Sequence, residues 1–283
     1  RGAQIGEYMA VESVTETAMI WGTVSGASMV GMVISLLLSV VLPIFLGIFI
    51  YKKTKAWVPA FFIGCGIFVV FAMILEQICH AIVLTVTGSA IRDNIWLYAI
   101  YGGLAAALFE ECGRWIAMTF CLKKHLTREN ALMYGAGHGG IEAFLILGMS
   151  SMSNLLTAAM INGGLMEKTM TALVPAQQEV TYHQLSVLWT TPAYQFYLAP
   201  VERISAIALQ IALSILVYSA VKTVRKLHLA AAFGLHFAVD FLTVICAAAI
   251  PTWALELGLL LVIAVICVVV YQLVYVQMAE KKA

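Results

Sequence analysis

Ionisable side chains recur inside stretches that are otherwise apolar: Glu76, His80, Glu110, Glu111, Arg114, His138, Glu142, Glu202, Arg203, His236 and Asp240. Each costs about 2.5–3.5 kcal/mol to place in hydrocarbon, so such residues face a bundle interior or a wet cavity and mark function. Their spacing groups them. His138 and Glu142 are four residues apart, as are His236 and Asp240, so each pair shares a helix face. Glu110 lies four residues and Glu111 three residues before Arg114, so the arginine can hold one or both. A carboxylate beside an imidazole can take a proton from water, and a second imidazole with a polar neighbour can stabilise an oxyanion. Peptide hydrolysis needs those parts. His138, Glu142 and His236 are also ligand types for zinc, although no HExxH is present because Gly139 follows His138. Acid–imidazole pairs in membranes also serve proton relays, which keeps a proton-coupled transporter as an alternative. A noncatalytic scaffold that has kept the site is a further alternative.

Long apolar helices must carry these residues. The hydrophobic set is 62% of the chain and charged residues 11%, against about 45–50% and about 25% in soluble globular chains. That composition belongs in a bilayer. The net charge of +1 and the lack of a basic stripe exclude a nucleic-acid partner. A span needs about 20 apolar residues. Seven candidates result, over 28–51, 57–87, 95–122, 131–149, 199–221, 228–250 and 252–278, and the fold expected is an all-α polytopic transmembrane bundle. Residues 28–278 form one domain on this reading, with an extracytoplasmic N-terminal segment 1–27 and a tail 279–283. Residues 150–198 read as an external segment, with an amphipathic or re-entrant piece near 153–173 interrupted at Asn162-Gly163-Gly164.

The basic residues cluster at alternate span ends: Lys52, Lys53 and Lys55; Lys123, Lys124 and Arg128; Lys222, Arg225 and Lys226; Lys281 and Lys282. The positive-inside rule puts these ends in the cytoplasm of a cell-membrane protein, with the N-terminus outside. At about 1.5 Å per residue from those ends, Glu110 and Glu111 lie roughly 18–20 Å deep, the two histidines roughly 11–12 Å, and Glu142 and Asp240 roughly 17–18 Å. Three spans thus bring acids and imidazoles to one slab. Glu76 with His80 form either a fourth wall or a structural pair, and Glu202 with Arg203 an interfacial or lid-anchoring pair. Gly135, Gly137, Gly139 and Gly140 around His138 let a helix or a substrate backbone come close. The six cysteines lie in apolar runs without a CxxC and read as small buried side chains.

At these residues the chain resembles the YhfC family of membrane peptidases, within the larger group of CAAX-prenyl endopeptidases, bacteriocin-processing enzymes and PrsW-type proteases. The residues that carry the resemblance are Glu110-Glu111-Cys112-Gly113-Arg114, one residue shorter than the group's EExxxR; Tyr134-x-x-x-His138; His236-x-x-x-Asp240; and the stretch GHGGIEA ending at Ala143. The resemblance implies an intramembrane endopeptidase of glutamate type. Glu110 would activate water, His138 assist proton transfer, His236 with Asp240 form the oxyanion site, and Glu111 and Arg114 orient or hold the substrate. Glu142 matches a motif-two glutamate of the PrsW-type members. The implied substrate is a peptide or protein, including membrane-anchored or lipidated ones. No cofactor is expected on this reading, zinc on His138, Glu142 and His236 being the alternative.

Overall fold

The structure, a computed structural model, describes residues 19–280. Its helices in chain order are α1 (Gly26–Thr54), α2 (Pro59–Thr87), α3 (Ile95–Cys121), α4 (Arg128–Asn162), α5 (Leu165–Met170), α6 (Pro175–Thr190), α7 (Ala193–Thr223), α8 (Lys226–Ala247) and α9 (Thr252–Val276). All except α5 and α6 are long and apolar enough to cross a membrane, which gives seven spans. No strand occurs among the described residues. The protein is a polytopic transmembrane helix bundle.

Local chemistry sets the helix starts. The side chains of Ser25, Asn94 and Thr127 accept the first free backbone N–H groups of α1, α3 and α4. Trp57 N–H donates to Asn130 Oδ1 at 2.7 Å, so the lysine-bearing α1–α2 loop meets the start of α4 at one end of the bundle. At the other end Asn162 Oδ1 accepts Val24 N–H at 2.8 Å, and its Nδ2 donates to Val24 O at 3.0 Å.

The observed α4 is longer than the sequence reading of its span. It runs on through a π-helical stretch, Phe144–Gly148, and the serines to Asn162, with hydroxyls such as Ser150 Oγ satisfied by a carbonyl one turn earlier, Ile146 O at 2.6 Å. The expected piece over 153–173 is therefore not one helix. Gly164, at φ +69°, turns the chain there, a conformation that favours glycine, and α5 and α6 follow. The expected N-terminal segment lies outside the described residues over 1–18, and the tail over 281–283.

At the centre stands α7, with 72% of its apolar window buried against 17–33% in the other spans. It packs on α1, α4, α8 and α9; α4 also packs on α2, and α8 on α3. The glycines of α4 make this arrangement possible. A Cβ on Gly137 would lie 1.9 Å from the Phe61 carbonyl oxygen of α2, and one on Gly64 of α2 would lie 2.2 Å from Tyr134 O. Gly135 and Gly139 meet α7, and Gly140 meets Pro43 of α1. All of these glycines serve helix approach rather than room for a substrate backbone. Gly137→Ala is expected to lower the melting temperature in detergent, because the clash is with backbone that cannot rotate away. Overpacking of this kind costs about 1–3 kcal/mol or more. Gly258→Ala, whose Cβ meets nothing within 4 Å, is the control and should melt with the wild type. All six cysteines are free thiols and none is buried as expected: Cys65, Cys79, Cys246 and Cys267 are half-buried, and Cys112 and Cys121 are exposed because they face outward from α3.

Candidate active site

Helix packing of α3, α4, α7 and α8 brings the acids and imidazoles together. Arg114, on α3, is fully buried. Its guanidinium donates to the carbonyl of Gln210 at 2.8 Å, to Ser214 Oγ at 3.0 Å and to Gln210 Oε1, all on α7. The same group stands 3.3 Å from Glu111 Oε2 and 3.9 Å from Glu110 Oε2. One cation thus holds the two neighbouring carboxylates in position.

Glu110 lies between the histidines. His138 Nε2, on α4, donates to Glu110 Oε2 at 2.9 Å, and His236 Nε2, on α8, lies 3.9 Å from Glu110 Oε1. Gln210 Nε2 donates to the same Oε2 at 3.0 Å. Oε2 therefore has two donors. Glu110 also lines a cavity of about 550 Å³ together with Glu142, Arg203, His236 and Asp240. Glu111 does not line it. Its Oε1 accepts from His236 Nδ1 at 2.8 Å, which aims His236 Nε2 toward Glu110 and toward Asp240 Oδ2 at 3.5 Å. His138 and His236 are buried, whereas Asp240 is half-exposed to the cavity.

Glu142 is placed differently from the zinc alternative. Its oxygens accept from Gln210 Nε2 at 2.8 Å and from Arg203 Nη1 at 3.2 Å, and neither histidine contacts it. One helical turn beyond His138 it is captured by the arginine, so it does not complete a ligand set with His138 and His236. Arg203 also pairs with Glu202, and both line the cavity, so that pair belongs to the site wall. Glu76 lies 3.2 Å from His80 Nε2, and His80 Nδ1 meets the Tyr101 hydroxyl at 2.7 Å. His80 and Tyr101 also line the cavity. Gln210, Ser214 and Tyr101 were not singled out from the sequence. The available signal was register: Arg203, Gln210 and Ser214 follow one another on one face of an apolar helix.

Among the described residues no three His, Cys, Asp or Glu side chains are already drawn close enough to enclose a metal ion. The nearest set, Glu110 with His138 and His236, nonetheless fits one in kind. Two imidazoles and a carboxylate are a catalytic zinc set. The Glu110 carboxylate stands 2.9 Å from His138 Nε2 and 3.9 Å from His236 Nε2, either side of the roughly 3.3 Å between donors on a tetrahedral ion with about 2.0–2.1 Å bonds. Glu111 on the far nitrogen of His236 is the outer carboxylate such ligands carry.

Membrane spans that wall off a carboxylate and two imidazoles beside a cavity suit an intramembrane protease, and the family match gives the chain that class. The chain belongs to the YhfC family, whose profile, described as YhfC intramembrane metalloprotease, matches residues 38–267. It is 40% identical over 232 residues to a Bacillus subtilis (strain 168) protein described as uncharacterized membrane protein YhfC, covering 79% of this chain and 83% of that relative. No solved structure matches it. The matched range contains every residue of the cavity wall named above. The family description supports the zinc alternative over the expectation of no cofactor.

Proposed function

We propose that the protein hydrolyses a peptide bond of a membrane-embedded or membrane-anchored substrate at Glu110, His138 and His236, with its lysine-rich end in the cytoplasm. The observation that carries this is the Glu110 carboxylate set between two imidazole Nε2 atoms at a cavity wall. Oε2 is saturated by His138 and Gln210, and Oε1 has no hydrogen-bond partner among the described residues. With no metal bound, Glu110 Oε1 takes the proton as water oxygen bonds to the carbonyl carbon. His236 Nε2–H donates to the developing oxyanion, with Glu111 fixing the imidazole and Asp240 beside it in the protonated form. As the C–N bond breaks, Glu110 returns the proton to the leaving nitrogen. Arg114 and Gln210 keep the carboxylate in place and are positioning residues.

Glu110, His138 and His236 would hold a divalent ion, which supplies Lewis-acid polarisation of the carbonyl and a more acidic bound water. Asp240, the half-exposed carboxylate 3.5 Å from His236 Nε2, is then the group left to move the proton.

Metal removal tests the point. Chelation of the protein in lipid nanodiscs is expected to abolish cleavage of internally quenched peptides, and added zinc to restore it. Full activity in metal-free protein leaves Glu110 as the sole activator of water. Failure of the metal-replete protein to cleave any membrane or soluble peptide overturns the proposal.

A further inference from the structure

A second cavity, of about 690 Å³, lies beyond the first between α4, α6 and α7. Its polar lining is Ser153, Asn154 and Thr157 from α4, Gln184 from α6, Thr191 just after α6, and Gln195 at the start of α7. Among the described residues no charged side chain lines it. Among the described residues none of these six side chains makes a hydrogen bond, whereas the neighbouring hydroxyls of Ser150 and Ser186 are satisfied by backbone carbonyls. Six half-exposed or exposed polar side chains therefore edge one space, their donors and acceptors unclaimed by neighbouring protein groups among the described residues.

This space continues the seam of the active site. On α4, Glu142 and Ile146 line the inner cavity and Ser153 and Thr157 the outer one. On α7, Ala199 lines the outer cavity and Arg203 and Gln210 the inner one. From Gln210 to Ala199 the rise along α7 is about 16 Å. An extended peptide covers that in about five residues at about 3.3 Å each.

We infer that the outer cavity is a substrate subsite. It takes an extended, uncharged segment of polypeptide about five residues from the cleaved bond, on the side away from the lysine-rich end. The inference rests on the peptidase reading. Amide side chains such as those of Asn154, Gln184 and Gln195 offer both a donor and an acceptor, which matches the N–H and C=O of a peptide backbone. A phosphate headgroup would ask for arginine or lysine, and none lines the cavity among the described residues.

The test uses internally quenched peptides carrying Asp or Lys at successive positions on one side of the cleaved bond, with the full chain in nanodiscs. Either charge about five residues out is expected to lower kcat/KM by about tenfold or more, through KM rather than kcat. Asn154→Lys should then accept Asp there and reject Lys. Gln184→Lys, on the opposite and exposed wall, should do the same, and covers the case in which the α4 variant folds poorly. Binding of the neutral peptide to Glu110→Gln, read by fluorescence anisotropy, follows the same subsite without catalysis. Cleavage by the wild type with a flat charge scan, or with no effect of either lysine, overturns this inference and leaves the peptidase reading standing. Charge-selective binding without cleavage sinks the peptidase reading and keeps the subsite. Neither binding nor cleavage overturns both.

Discussion

Glu110→Gln is expected to reduce peptide cleavage by about 10³-fold, within the 10²–10⁴ range for loss of a positioned acid–base group, with the melting temperature held close to wild type. The substitution keeps the shape and leaves an oxygen to accept from His138 and Gln210, so the packing around it survives. It removes the charge that both histidines face, and with it either the proton acceptor or the anionic ligand. Glu111→Gln isolates the neighbour. Glu111 is turned from the cavity and acts through His236 Nδ1 at 2.8 Å, so its loss should cost about 10–100-fold, as outer partners of active imidazoles do. Turnover of a quenched peptide by the two variants, with thermal melts alongside, decides between them. A dead Glu111→Gln beside an active Glu110→Gln would reverse the assignment of the two carboxylates.

Much of this site was legible before any coordinates, for one physical reason. A charge in hydrocarbon is costly enough to stand out, so Glu110, Glu111, Arg114, His138, His236 and Asp240 announced themselves by residue type. Counting helical rise then put them in one slab, because spans that start at a common surface share a depth scale. What neighbours each side chain was less legible. Four-residue spacing places Glu142 on the face of His138, but cannot say which helix that face meets one turn further out, and there it meets Gln210 and Arg203. Gln210 went unnoticed because an amide in a span carries a smaller penalty than a charge, although it donates to both Glu110 and Glu142. The glycines around His138 were readable as close approach, while the partners, α2, α7 and α1, depend on tertiary packing. The end of α4 was misjudged because Asn162-Gly163-Gly164 suits an interruption as well as a terminus. The hydrogen bonds from Asn162 to Val24, far away in sequence, belong to a terminus.

Arg114→Met should be the most destabilising single change in the site. Arg114 is fully buried, and Glu111 and Glu110 beside it are 2% and 7% exposed. Removing the cation strands two carboxylates that water reaches poorly, and breaking a buried pair from one side costs about 3–5 kcal/mol. Arg114→Lys is expected to recover little. The guanidinium reaches the Gln210 carbonyl, Ser214 Oγ and Gln210 Oε1 while standing beside both carboxylates, and a single ammonium cannot span that fan of partners. The measurement is thermal unfolding in detergent as a double-mutant cycle. Adding Glu111→Gln to Arg114→Met takes away one stranded charge, so the double variant should melt above Arg114→Met alone. Two independent losses that simply add would mean that Arg114 does not hold Glu111. Recovered stability should not bring back cleavage, because His236 would have lost the charged partner on its Nδ1 and Glu110 its neighbouring cation. That separation of stability from turnover is what distinguishes an arginine that sets the geometry of the reacting groups from one that only packs between helices.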